Sequence, residues 1–226
     1  MRFLNKYPAM KIGKCLVVAD VHIGITKDIY DKGIFIPNQS EKMADRINKL
    51  KKLTKTNRLV MLGDVKHKVH GFSIHEKIEL ENFFSKLEFS RITIVKGNHD
   101  GDIERMLPEG KNIEVKKSVA IEKYFLTHGH RNVKTKKRTI VIGHNQPHVK
   151  FKDKMGGIYI EPVWIIGKIK SKKLIIMPAF NELCGATVVN KDILLGPIAR
   201  QLDKKNARVY LLDGTDIGTI HNLIVD

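Results

Sequence analysis

Apolar positions in the first half of the chain follow two alternating periods. Cys15-Leu-Val-Val-Ala19 is an unbroken apolar run that reads as a buried strand ending at Asp20. Met43, Ala44, Ile47, Leu50 and Leu53 then recur at helical spacing and predict an amphipathic helix over residues 39–54. Asn38, after Pro37 and three residues before Glu41, offers that helix a capping box. The unit repeats with a strand over Arg58–Leu62, a turn at Gly63-Asp64 and a helix over residues 74–88. That helix carries Ile78, Leu80, Phe83, Phe84 and Leu87, with Ser73 and Glu76 placed as its capping box. A third strand, Arg91–Val95, leads into Gly97-Asn98-His99-Asp100. Strands separated by helices imply a parallel sheet, whose function gathers in loops at the carboxyl ends of its strands.

From about Ile113 the apolar runs become short, β-branched and closely spaced: Ser118–Leu126, Thr139–Ile142, Ile158–Ile169 and Lys173–Met177. Turn residues such as Gly156-Gly157 and Asp213-Gly214 separate them. This half is expected to be mainly antiparallel, forming a second sheet packed on the first. Strands near Val209–Leu212 and Gly218–Val225 would close it. No repeat, low-complexity tract or linker interrupts the 226 residues, of which 42% are hydrophobic, so residues 1–226 read as one domain.

Charge adds a partner to this picture. Lys and Arg number 41 against 24 Asp and Glu, for a net charge of +17. Thermophile surfaces raise glutamate together with lysine; here the excess is one-sided and favours a polyanion such as nucleic acid, with a merely basic surface as the alternative. Cys15 and Cys184 form no Cys-x-x-Cys pair, which removes zinc-knuckle and redox-motif readings. Met1–Lys11 lacks an apolar signal core and no run reaches the length of a membrane span, so a soluble, cytoplasmic protein is expected.

Five polar clusters follow strand-like runs: Asp20-Val-His22, Gly63-Asp64, Gly97-Asn98-His99-Asp100, His128-Gly-His130 and Gly143-His144-Asn-Gln146-Pro-His148. Each alone is an ordinary polar turn. Together they offer oxygen and imidazole donors without thiolates, a set suited to manganese, iron or zinc rather than to calcium or structural zinc. Two neighbouring metals need a shared carboxylate, which an Asp after a strand-ending Gly can supply.

In this order the clusters resemble the signature of the calcineurin-like metallophosphoesterase superfamily: D-x-H, G-D, G-N-H-D/E, H, then G-H-x-H. Gly33-Ile-Phe-Ile-Pro37, Gly63-Asp-Val-Lys-His67 and Pro178-Ala-Phe-Asn-Glu-Leu183 further resemble archaeal phosphoesterases related to the SbcD repair nuclease, with bacterial DNA-ligase-associated phosphoesterases as cousins. The resemblance implies an α/β fold, a four-layer α-β-β-α sandwich of two mixed sheets flanked by helices, without a separate capping domain. It also implies two divalent ions, manganese first, with iron, zinc, nickel or cobalt as alternatives. Asp20 and His22 would bind the first, Asp64 would bridge, and Asn98, His128 and His144 would bind the second. His99 would face the leaving oxygen, with Asp100 supporting the catalytic group, while a metal-activated water attacks phosphorus in line.

One position departs from the pattern. Where the second histidine of G-H-x-H completes the first metal's shell, this chain has Gln146, a weaker neutral donor, with His148 two residues on as an alternative. His67 and His130 are candidates for substrate contact or ligand support, whereas His70, His75 and His221 read as surface residues and Trp164 as core. Arg131, Lys134, Lys136, Lys137 and Arg138 lie between His130 and His144 in sequence and are expected near the site. Lys136, Lys137 and Arg138 are the foremost candidates for nucleic-acid contacts. Lys150, Lys152, Lys154, Lys168, Lys170, Lys172 and Lys173 extend the basic stripe. The expected activity is phosphodiester hydrolysis on DNA or RNA. The alternatives are a small-molecule phosphodiesterase or phosphatase, and a catalytically weakened nucleic-acid-binding or scaffold protein. A homodimer and a DNA-repair or RNA-processing partner complete the expectations.

Overall fold

Two sheets lie face to face, and their central strands divide their residues between two apolar layers. The computed structural model describes residues 1–71, 73–152 and 155–223. The first sheet is built from β1 (Arg2–Phe3), β2 (Ala9–Ile12), β3 (Cys15–Val18), β4 (Arg58–Leu62), β5 (Arg91–Val95) and β6 (Ile113–Lys116), in that order across it. β3 to β6 are parallel. β1 and β2 add an antiparallel edge that the sequence pattern did not announce, because the runs are short and Lys11 interrupts the second. Helices α1 (Ile25–Asp31), α2 (Ser40–Thr54) and α3 (Ile74–Lys86) belong to this half.

Both expected helices form, with altered caps. The Asn38 Oδ1 accepts from the Ser40 amide at 2.7 Å, but Glu41 pairs with Lys86 instead of closing a box. Ser73 Oγ accepts from the Glu76 amide at 3.1 Å. The Glu76 carboxylate accepts from the amides of His67 and Lys68 at 3.1 and 2.9 Å, so a residue expected to serve its helix holds a site loop.

The second sheet contains β7 (Val119–Ile121), β8 (Tyr124–Leu126), β9 (Thr139–Ile142), β10 (Pro147–Lys152), β11 (Ile158–Ile169), β12 (Lys172–Ile176) and β13 (Thr187–Val188). After α4 (Gly196–Ala199), β14 (Arg208–Leu211) and β15 (Asp216–Thr219) join it, and α5 (Ile220–Leu223) follows. Most of its pairings are antiparallel, as expected, but β8–β9, β9–β12 and β10–β13 run parallel. Turn residues mark where a strand stops, but not whether the chain reverses or crosses back. The expected run Ser118–Leu126 breaks into a hairpin at Glu122, whose φ is 52°. The expected closing strand from Gly218 stops at Thr219, and Val225 lies outside the described residues, as does Lys154.

Three apolar layers hold four structural layers together. Leu16, Val18, Leu59, Met61, Ile92 and Ile94 pack under Ala44, Ile47, Leu50, Leu80 and Phe83 of α2 and α3. Val17, Ala19, Val60 and Leu62 meet Leu126, Val141, Trp164 and Ile175 between the sheets. Trp164 is 2% exposed with its ring 4.6 Å from Phe3, a core residue. Ile140, Ile142, Ile165, Leu174 and Ile176 face Ile198, Ala199, Leu202 and Ile220, so the fourth layer is made of short helical turns and loops. Strands buried on both faces read as continuous apolar runs, which is why their sequence signal was strong. Among the described residues, no helix is long and apolar enough to cross a membrane.

Candidate metal centre

The ends of β3, β4, β5, β8 and β9 bring their polar residues to one place, and the loops that leave them are laced by backbone hydrogen bonds. Asp20 donates its amide to the Gly63 carbonyl at 3.2 Å, and His22 donates to Asp64 at 2.9 Å. Asp20, His22, Asp64, His144 and Gln146 all have positive φ, between 43° and 67°. Non-glycine residues rarely adopt that region, and such strain persists where the surrounding structure fixes it. Here each side chain must turn back over a strand end within one or two residues. Gly97 makes the close approach feasible, because a Cβ there would overlap the amide nitrogen and Oδ1 of Asp64.

Two groups of donors share Asp64. The side-chain donors of Asp20, His22 and Asp64 lie within 4.8 Å of one another, and so do those of Asp64, His128 and His144. His128 Nε2 stands 3.2 Å from Asp64 Oδ2 and 3.2 Å from Asn98 Oδ1. Its Nδ1 faces the Leu62 carbonyl at 3.1 Å, which fixes the ring with Nε2 aimed at the carboxylate. Gln146 Nε2 lies 3.0 Å from His22 Nε2, so Gln146 belongs to the first group. His148 does not: its Nδ1 faces the Gln146 carbonyl at 2.9 Å within β10, where strand pairing holds it.

Burial explains the protonation states. The carboxylates of Asp20 and Asp64 are both dry, and burial together with the charge of Asp64 pushes Asp20 up. Burial also acts to raise Asp64, but the hydrogen bond and charge of His128 hold it low. The reciprocal pull raises His128 to about 9 although burial opposes its charge. Burial lowers His22 to about 3; burial and the neighbouring His128 lower His144 to about 4, leaving both imidazoles neutral, the form in which a histidine ligates. Two buried acids and neutral imidazoles converging on shared points are a donor set that fits a pair of divalent cations.

Around this set the structure reassigns several residues. Asp100 was expected to support the catalytic group. Its Oδ1 instead accepts from the amides of Val65 and Lys66 at 2.8 and 3.2 Å, and its Oδ2 from Gly97 at 2.8 Å. It is a buried clamp between two loops, with no bond to His99. The His99 ring is oriented by the His67 carbonyl, leaving Nε2 3.9 Å from Asp64 Oδ2. His67 Nδ1 faces His22 Nδ1 at 3.4 Å, and its Nε2 meets Asp28 Oδ2 at 3.2 Å. His130 lies beside His128 and His144, at ring distances of 5.3 and 6.2 Å, and its buried Nδ1 has no hydrogen-bond partner among the described residues. Lys136, Lys137 and Arg138 are not near the site as expected: Arg138 precedes β9, at the end opposite Gly143 and His144.

Two residues were invisible to the sequence reading. Asp28 sits in a helix with no motif around it. Lys66 is fully buried, its ammonium held by the carbonyls of Lys68 and, at 3.0 Å, Gly71, so it folds the loop whose His67 carbonyl orients His99. Its place two residues after Asp64 and next to His67 was the hint the sequence offered.

The calcineurin-like phosphoesterase family model matches residues 13–171, so the chain belongs to that family. Its fold is similar to that of the nuclease MPE from Pseudomonas putida, with a TM-score of 0.57 and 22% identity, covering 88% of this chain and 85% of that one. The phosphoesterase Yfce from E. coli is 17% identical, with a TM-score of 0.40, covering 90% of this chain and 96% of that one. No curated protein sequence matches.

Proposed function

We propose that the protein is a two-metal hydrolase of phosphodiesters and that its substrate is nucleic acid. The observation that carries the hydrolytic reading is the sharing of Asp64 by two donor groups. Asp20, His22 and Gln146 would complete one ion's shell, and Asn98, His128 and His144 the other's. Manganese suits this mixture of carboxylate, amide and imidazole donors. Two divalent ions bound there would lower the pKa of the attacking water and neutralise charge on the phosphoryl oxygens.

The chain's own residues supply position and protons. His99 Nδ1 is held by the His67 carbonyl, which leaves Nε2 on the Asp64 side, where it would serve as the general acid toward the departing oxygen. Asp100 and Lys66 hold the loops that carry Asp64, His67 and His99. The nucleic-acid substrate rests on the net charge of +17 and on the resemblance of Gly63-Asp-Val-Lys-His67 and Pro178–Leu183 to SbcD-related phosphoesterases.

The test is manganese-supplemented hydrolysis of bis(4-nitrophenyl) phosphate, DNA, RNA, cyclic nucleotides and monoesters, with Asp64→Asn and His99→Ala as controls. Diesters and nucleic acid should be cleaved, with His99→Ala slower by roughly 10²–10⁴-fold. Full activity in Asp64→Asn would overturn the shared-carboxylate reading, and cleavage restricted to monoesters or cyclic nucleotides would overturn the substrate.

A further inference from the structure

Parallel pairing of β8 with β9 forces the chain to return from the site to the start of β9. It does so as coil over residues 127–138, beginning at His128 and His130 and ending at Arg138. Burial alternates along the last part of this crossover. Val133, Thr135 and Lys137 are half-buried, while Lys134, Lys136 and Arg138 are exposed, as is Arg131 at the site end. Val133 packs on the outer core of the second sheet. Lys137 is absorbed by the fold: its ammonium donates to the Glu122 carbonyl at 2.7 Å, and its carbonyl accepts from Lys172 at 3.1 Å. Alternate residues of an extended segment stand about 6–7 Å apart, close to the separation of neighbouring phosphates on a nucleic-acid strand.

The far end of the crossover is also basic. Lys168 and Lys173 stand directly opposite each other on β11 and β12, with Lys170 in the turn between. Like charges at cross-strand partner positions are destabilising. No ion pair among the described residues offsets them, although Lys27, Arg46, Lys51, Lys77, Lys86, Arg91, Lys96, Lys116 and Arg208 are all paired elsewhere. From Lys123 to Lys173 the only acidic residues are Asp153 and Glu161. A cavity of about 310 Å³ lies between crossover and turn, bordered by Lys134, Thr135, Lys170, Lys172 and Gln201.

We infer that this crossover is a nucleic-acid track: Arg131, Lys134, Lys136 and Arg138 lead the flanking backbone from the site to the β11–β12 turn, where Lys170 borders the same cavity as Lys134, while Lys168 and Lys173 extend the charge on the other face of the sheet. The inference rests on the nucleic-acid reading above and assigns the substrate a direction across the molecule. Contacts so far from the reacting bond strengthen binding of a polynucleotide and leave a small ester unaffected.

The triple variant Lys134→Glu, Lys136→Glu, Arg138→Glu tests it. Fluorescence anisotropy with a labelled DNA, across a salt series, should show at least a tenfold loss of affinity. The slope of log K against log salt should become shallower by about 2–3, as expected for three lost phosphate contacts. Manganese-dependent hydrolysis of bis(4-nitrophenyl) phosphate should be unchanged. An unchanged slope, or an equal loss of small-ester hydrolysis in a variant with wild-type thermal unfolding, would overturn the track. Should the glutamates lower the unfolding temperature, the triple alanine variant is measured, with the same fall in slope expected. A wild-type protein that cleaves the small ester but binds no DNA also overturns the track while the hydrolase stands. Track-dependent binding without hydrolysis of any ester sinks the catalytic reading and leaves the track standing.

Discussion

The side-chain amide of Gln146 lies 3.0 Å from Nε2 of His22, the spacing of two neighbouring donors around one ion. An amide can offer its oxygen to that point by rotating, but it is a weaker ligand than imidazole. Replacing Gln146 by His should tighten manganese binding at the first site by roughly tenfold, the size of effect seen when groups around metal ligands change. Metal titration by calorimetry checks this; identical affinity in both proteins would remove Gln146 from the shell.

His67 bridges Asp28 and His22 and thereby directs the second nitrogen of His22 toward Asp64. Partners of this kind set the tautomer of a ligand histidine. Asp28→Ala and His67→Ala are each expected to weaken metal binding by about 10–100-fold while leaving the thermal unfolding of the metal-free protein nearly unchanged. Unaltered affinity would mean that the chain of three side chains has no role in ligation.

The Asp64–His128 contact predicts a proton release. His128 titrates at about 9 in the metal-free protein, above the ordinary histidine value of 6.5. Its pairing thus stabilises the fold fully below about 6.5, and that contribution is lost as pH rises through 9. Coordination through Nε2 must expel the proton, so loading metal at pH 7–8 should release about one proton from this residue. Calorimetry in buffers of different ionisation enthalpy measures it, and the release should fall by about one proton in His128→Asn, the remainder coming from Asp20.

Asp100 accepts three buried amide hydrogen bonds, so Asp100→Ala should destabilise the protein by ~3 kcal/mol or more. At this chain length that corresponds to a fall in Tm of roughly 6–12 °C. A variant that keeps wild-type Tm but loses hydrolysis would restore Asp100 to a direct catalytic part.

Much of the site was legible in the sequence because its parts are local. Asp20, Asp64 and the run Gly97–Asp100 each follow a doubly buried strand, and the apolar run that marks the strand also marks its end. The strand bounds Arg58–Leu62 and Arg91–Val95 came from such runs, and the helix expected over residues 39–54 forms as Ser40–Thr54. The edge strands β1 and β2 were missed because runs this short carry no period.

What only the tertiary structure decided is how those ends meet and where the connecting segments travel. Asp100 and His99 are neighbours in sequence, yet one clamps loops and the other faces the site, since successive residues in a turn point apart. Lys136 and Arg138 stand between His130 and His144 in sequence but at the far end of β9 in space, because a parallel pairing makes the chain run the length of the sheet before it re-enters. Local periodicity determined the strands and the chemistry at their tips. The direction of each pairing is fixed by which faces pack across the whole molecule, and no short window of sequence contains that.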